Sequence, residues 1–259
     1  STGQPDASAR RMRERSTSKN AQRILGDINE MERLVSSSRA APKGLLRVNA
    51  PLGFGRTYIA QAISKFTFTY PDVEVQLNLT DRPVSLPDDA VDVSIRFGDL
   101  PDSRLIAKKI AANRRLLCAA PTYLKKAGTP SNPHDLAQHQ CIVLRQNDSA
   151  YGNWRLTRGK QSETVKVHGN LSTNDGEAAL NWALDGHGIL MRAEWDVAKY
   201  LRSGRLVQVL ADYETPSADV YAVYLERLNL SAKVSYFVDF LRDFLSKHAD
   251  SPSQANSTW

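Results

Sequence analysis

Apolar positions recur with two periods along the chain, and the switches between them outline the elements. Val73, Val75, Leu77 and Leu79 alternate strictly with Glu74, Gln76 and Asn78, and Val91, Val93, Ile95 and Phe97 alternate with Asp92, Ser94 and Arg96. A period of two is that of a half-buried strand. Ile59, Ile63, Phe66 and Tyr70 instead share one face of a helix that ends at Pro71. Ahead of it, the apolar run from Leu45 breaks at Pro51 and passes Gly53 and Gly55, which predicts a strand feeding directly into that helix.

The alternation continues. An extended segment over 106–119 ends at Pro121, with a short helix from Tyr123 and a helical turn opened by Asn132-Pro133. Strands are expected at 141–145, 153–156, 164–167, 189–191, 206–210 and 220–225. Helices are expected at 175–185, closed by Gly186-His187-Gly188, and at 194–202, stopped by Gly204. Ser231 is placed to cap a terminal helix whose apolar face carries Val234, Phe237, Val238, Leu241, Phe244 and Leu245. Strand, helix and strand in this order make an α/β protein with right-handed crossovers. Two such sets joined by two extended crossings imply two lobes with a cleft between them. The expected division is lobe I over 44–119 plus 219–248, and lobe II over 120–218.

Outside the lobes the pattern changes. Residues 1–20 have no apolar periodicity and read as a disordered or non-native basic tail; 249–259 read as a polar tail. Between 21 and 43 comes a helix and hinge. Ile24, Ile28, Met31 and Val35 follow the spacing of a coiled-coil seam, which leaves two readings, a dimerising helix or one lying on the body.

Charge and composition then narrow the function. The formal charge is +6, and residues 1–23 carry six basic against two acidic side chains, so the body is close to neutral. It offers no basic face with interleaved aromatics. No apolar run approaches the roughly 20 residues of a membrane span. The polar N-terminus is not a secretory signal, so a cytoplasmic location is expected. Cys118 and Cys141 lie in apolar strands and read as buried small hydrophobes, and the five scattered histidines make no zinc spacing. No metal or cofactor is expected. An enzyme is not expected either: no Ser/His/Asp order or phosphate loop is present, and Asp88-Asp89 reads as a solvated helix start.

The chain resembles the linker helix and effector-binding domain of LysR-type transcriptional regulators over roughly residues 21–247. The resemblance rests on motifs in order: Ala40-Ala-Pro-Lys-Gly-Leu-Leu-Arg-Val-Asn-Ala-Pro51, Phe54-Gly-Arg56, Tyr70-Pro-Asp-Val-Glu-Val75, Val91-Asp-Val-Ser-Ile-Arg-Phe-Gly98, Arg115-Leu-Leu-Cys-Ala-Ala-Pro-Thr-Tyr-Leu124, Asn174-Asp-Gly-Glu177 and Asp185-Gly-His-Gly-Ile189. It implies a type-2 periplasmic-binding-protein fold, two Rossmann-like lobes joined by two crossover strands. It also implies a homodimer or homotetramer that controls transcription when a small effector enters the cleft. In that family a winged helix-turn-helix precedes the linker helix; the residues before Ala21 lack its pattern, so the chain reads as a truncated regulator that does not bind an operator by itself.

On this resemblance Pro51, Leu52, Gly53 and Phe54 form one jaw of the cleft, with Thr80 and Asp81 beside them, and Thr173, Asn174 and Asp175 form the other. A helix starting after Pro51 would offer free N–H groups to an anion, although the two glycines equally suit a tight turn. Thr173 or Asn174 equally suits a helix cap. Arg96 either anchors a carboxylate or pairs with Asp92 or Asp81. The favoured effector is a small organic acid or aromatic carboxylate. Ile24, Ile28, Met31, Tyr58, Ala62 and Tyr200 are the expected dimer contacts. A free-standing solute-binding protein of the same fold is the alternative.

Overall fold

The computed structural model describes residues 41–80, 90–98, 105–145, 152–226, 231–249 and 259. The expected seam Ile24, Ile28 and Met31 lies outside them, as does Asp81.

Two five-stranded sheets make the two lobes. The first contains β1 (Gly44–Ala50), β2 (Val73–Leu79), β3 (Val93–Phe97), β4 (Leu105–Ala111) and β12 (Val220–Leu225), in the order β2-β1-β3-β12-β4. β1 runs parallel to β2 and β3, while β12 returns antiparallel between β3 and β4. The second contains β5 (Arg115–Ala119), β6 (Cys141–Leu144), β9 (Ser172–Thr173), β10 (Ile189–Ala193) and β11 (Val207–Val209), in the order β11-β5-β10-β6-β9. A hairpin, β7 (Asn153–Arg158) with β8 (Gln161–Lys166), lies beside it.

The turn at Pro51 leads without a break into helix. α1 (Leu52–Phe54) passes through a π-helical turn, Gly55–Ile59, into α2 (Ala60–Thr69). On the apolar face inferred from Ile59, Ile63, Phe66 and Tyr70, Ile59 and Phe66 are fully buried and the other two half-buried, and Phe66 meets Phe237 of the terminal helix α6 (Ala232–Ala249), ring centroids 5.2 Å apart. Burying each such aromatic contributes about 1.5–3 kcal/mol. Lys233 ties α6 to the sheet by donating to the Leu45 carbonyl and, at 3.0 Å, to Asp92. In lobe II, α3 (Pro121–Ala127), α4 (Gly176–Leu184) and α5 (Glu194–Arg202) complete the element order. Ala179, Leu180 and Ala183 of α4 pack with Val197 of α5 against Leu116, Cys118 and Leu190 of the sheet.

Two expectations about the frame are corrected. Arg115–Ala119 pairs with β10 and β11, so it belongs to lobe II and the first crossing lies at 112–114 rather than after residue 119. Trp259, assigned to a polar tail, is 4% exposed and packs into the lobe I core.

Candidate functional site between the lobes

The hinge is built around Asn113, a side chain 4% exposed. Its main-chain N–H donates to Asp219 Oδ1 at 3.0 Å and its Nδ2 to the Ala218 carbonyl at 2.9 Å, which joins the two crossings. Its Oδ1 accepts from the Trp195 main-chain N–H at 3.5 Å. Arg114 adds a two-pronged pair to Glu194, at 2.9 and 3.1 Å, at the start of α5.

Beyond this hinge the turn after β1 and the start of α4 both lie against Arg192. Gly55 faces inward, where a Cβ would overlap Leu79, so it serves packing of the turn. Gly53 faces the other lobe: a Cβ there would lie 3.3 Å from Trp195 Cη2 and 3.8 Å from Arg192 Nη2. Pro51 and Leu52 are half-buried beside it, whereas Phe54 is fully buried, edge-on to Trp195 at 5.4 Å, and offers a ligand no surface. Across the cleft Asp175, not Thr173 or Asn174, caps α4, its Oδ1 accepting from Ala178 N–H at 2.7 Å. Thr173 Oγ1 accepts from Asp175 N–H at 3.0 Å, and Asn174 is exposed. At the mouth Arg56 of lobe I reaches Glu177 of lobe II at 2.8 Å.

The residue at the centre is Arg192, which the sequence reading missed. It is the next-to-last residue of β10, its Nε donates to Asp196 Oδ2 at 2.6 Å, and its Cζ stands 5.6 Å from the Trp195 ring centroid. A Cβ at Gly176 would fall on the guanidinium itself. Its side chain is 11% exposed, yet Nη1 and Nη2 donate to nothing among the described residues. The Trp195 indole N–H, in contrast, is fully buried and has no acceptor among the described residues. Each buried donor left unpaired costs about 1–3 kcal/mol. Burial, and then the charge of Arg192, pull the Arg115 guanidinium below its usual pKa. The signal for Arg192 was a cation near the end of an apolar strand, the same signal that singled out Arg96.

Other expected residues fall elsewhere. Thr80 N–H bonds the Ala50 carbonyl at 3.0 Å, at the end of the parallel strands. Arg96 Nε donates to Ser94 Oγ at 3.3 Å, while Asp92 is held by Lys233 and the Arg47 N–H. Ala62 is fully buried in the lobe I core, so it is no surface contact. Tyr58 turns inward onto Phe54 and Trp259, at 5.1 and 5.2 Å. Tyr200 lies on the outside of α5 beneath Lys199 and Arg205.

Two lobes, two crossings and a cleft at the ends of the parallel strands describe a ligand-sensing domain, and comparison with known proteins agrees. Residues 39–246 match the LysR substrate binding domain. The chain belongs to the LysR family of transcriptional regulators. Among similar proteins, the HTH-type transcriptional regulator DmlR of Escherichia coli K12 is 42% identical over 228 residues, covering 88% of this chain and 74% of that one. The HTH-type transcriptional activator TtdR of the same strain is 39% identical over 233 residues, covering 90% and 73%. The solved LysR-type regulator CrgA of Neisseria meningitidis superposes with a TM-score of 0.70 at 27% identity, covering 87% of this chain and 76% of that one. The LysR domain described here is thus a sensing module of a transcriptional regulator, and its relatives are regulators, not enzymes. Among its described residues no helix is long and apolar enough to cross a membrane.

Proposed function

We propose that this domain senses a small organic acid that enters between the lobes, and that the resulting closure is transmitted to DNA through a helix-turn-helix domain outside the described residues. The observation that carries the reading is that Gly53 of lobe I and Gly176 of lobe II both approach the guanidinium of Arg192. An acid bound there touches both lobes at once and favours the closed arrangement by its differential affinity. Pro51, Leu52, Gly53, Thr173 and Asp175 flank the approach, and Thr80 and Arg96, at the ends of β2 and β3, stay as further candidate contacts. The regulator works in the cytoplasm as a homodimer or tetramer. Phe68, 86% exposed on α2, supplies uncovered apolar surface for that assembly, with half-buried Tyr200 on α5 a second expected contact.

A thermal-shift screen of small organic acids tests the sensing role. An acid at one hundred times its Kd stabilises the fold by roughly 2.7 kcal/mol. Stabilisation by no small molecule of any class refutes it. Sedimentation tests the assembly: a strict monomer at high micromolar concentration refutes the dimer.

A further inference from the structure

Arg192 and Trp195 present hydrogen-bond donors where the two lobes meet, and the described residues supply no acceptor for them. Arg192 uses only Nε for Asp196, 2.6 Å away and one helical turn on. That bond and the indole face beneath it fix the plane of the guanidinium. The edge carrying Nη1 and Nη2 is left over, and it lies against Gly176, where a side chain would displace it, and near Gly53. The indole edge running from Nε1 through Cζ2 to Cη2 borders the same space, since Cζ2 and Cη2 lie 3.9 and 3.3 Å from a Cβ at Gly53. The main-chain N–H groups of Gly176 and Glu177 open α4 with no acceptor among the described residues. The nearby acids are already engaged, Asp175 by the Ala178 N–H, Asp196 by Arg192 and Glu177 by Arg56.

A group that meets only donors must be an acceptor, and a planar fork of two Nη groups matches the two oxygens of a carboxylate. A primary amide or alcohol would bring hydrogens with nowhere to go. We propose that Arg192 is the anchor for a carboxylate of the effector, that Asp196 is the positioning residue that holds its fork toward the cleft, and that the Trp195 indole N–H donates to the same ligand. This rests on the reading that the effector binds between the lobes. It moves the anchoring role from Arg96 in lobe I to Arg192 in lobe II. It also makes the glycine at 176 a requirement for the arginine's place.

The test is a titration panel of acetate, lactate, succinate, glutarate and benzoate beside their primary amides, followed by thermal shift and calorimetry. The proteins are the wild type, Arg192→Gln, Arg192→Lys, Gly176→Ala and Asp196→Asn, each first shown to unfold cooperatively without ligand. The expected result is that at least one acid binds and its amide does not. Arg192→Gln then weakens that acid roughly 10- to 100-fold. Arg192→Lys, which keeps the charge and loses the fork, falls between. Gly176→Ala weakens it with every charge retained, and Asp196→Asn lowers the preference for acid over amide. An acid that binds Arg192→Gln as tightly as the wild type overturns the anchor while leaving the sensing cleft in place. Amides binding as well as acids overturn the ligand class. Binding of no compound at millimolar concentration overturns the proposal, and extending the screen to other chemical classes then decides whether the sensing role falls with it.

Discussion

Arg56 and Glu177 meet across the mouth of the cleft at 2.8 Å, one from each lobe. Both side chains are more than half exposed, at 53% and 66%, so water screens the pair. Such pairs contribute about 0–1 kcal/mol. Arg56→Ala should therefore leave the denaturation midpoint nearly unchanged. Its effect belongs to closure: the pair exists only when the lobes are together, so the variant should show a larger radius of gyration by small-angle scattering. The difference should shrink as salt is added. A variant that loses substantial stability, or keeps the same radius, would show that the contact does not hold the mouth closed.

Arg114 and Glu194 are an unequal pair. Glu194 is 2% exposed on its side chain and Arg114 is 46% exposed. Removing the arginine leaves a buried carboxylate without its guanidinium, whereas Glu194→Gln leaves an arginine that can turn to water and an amide oxygen that still accepts. We expect Arg114→Met to cost about 2–3 kcal/mol and Glu194→Gln about 1 kcal/mol, discounted from fully buried pairs because Arg114 is half exposed. Urea denaturation of the two variants checks the order. Equal costs would mean that the pair acts through geometry alone.

The alternating positions of β2 and the amphipathic pattern of α5 were legible because each element buries one face, and burial is what creates periodicity. The bounds of α5 match the expected 194–202. Arg115–Ala119 carried no such information: Leu116, Leu117, Cys118 and Ala119 are all buried, so both faces look alike and nothing says which sheet the strand joins. The turn at Pro51–Phe54 and the helix start at Thr173–Asp175 were legible as breaks between elements, because turns have chemistry of their own. The capping role fell to Asp175 through a difference of one residue in where the helix starts. Arg192 was not picked out, since a cation near a strand end carries the same local signal as Arg96, and what sets it apart is its packing against Gly176 and Gly53, the latter far away in sequence. Trp259 was not legible for the opposite reason. One aromatic in a polar stretch has no period.

Cys118 and Cys141 are buried free thiols whose pKa burial pushes up to about 12 in each case. A thiol held so far above neutrality exposes almost no thiolate, which is the reactive form. In the native protein near pH 8 neither should react with a disulfide reagent on the minute scale, and both should react once guanidinium unfolds the chain. Rapid labelling of either thiol in the native state would contradict their burial.

Trp259 packs 5.2 Å from Tyr58 and 6.1 Å from Phe54, and its indole N–H donates to the Ala112 carbonyl at 3.0 Å. Arg202 of α5 reaches its main-chain oxygen at 2.6 Å. One side chain therefore touches lobe I and the first crossing while its backbone is held by lobe II. Trp259→Ala should cost about 3 kcal/mol, within the range for a large aromatic removed from a core. Trp259→Phe keeps the packing and loses the hydrogen bond, at about 1 kcal/mol. Chemical denaturation measures both, and a Trp259→Ala variant as stable as the parent would mean that this contact contributes nothing.

Asp196 carries the last prediction, because its two roles pull against each other. Burial raises its carboxyl pKa above the ordinary value, outweighing the opposing pull of Arg192. The folded state therefore holds this proton longer than the unfolded chain does. Its contribution to stability is greatest below the ordinary carboxylate range and is lost as pH rises through the raised pKa. The ion pair that orients Arg192, in contrast, forms only above that pKa. Stability and readiness should thus separate with pH. Between about pH 4 and pH 7 the unfolding free energy of the wild type minus that of Asp196→Asn should decline and then level. If the difference grows as pH rises, pairing with Arg192 outweighs burial, and the carboxylate stabilises the fold as well as positioning its partner.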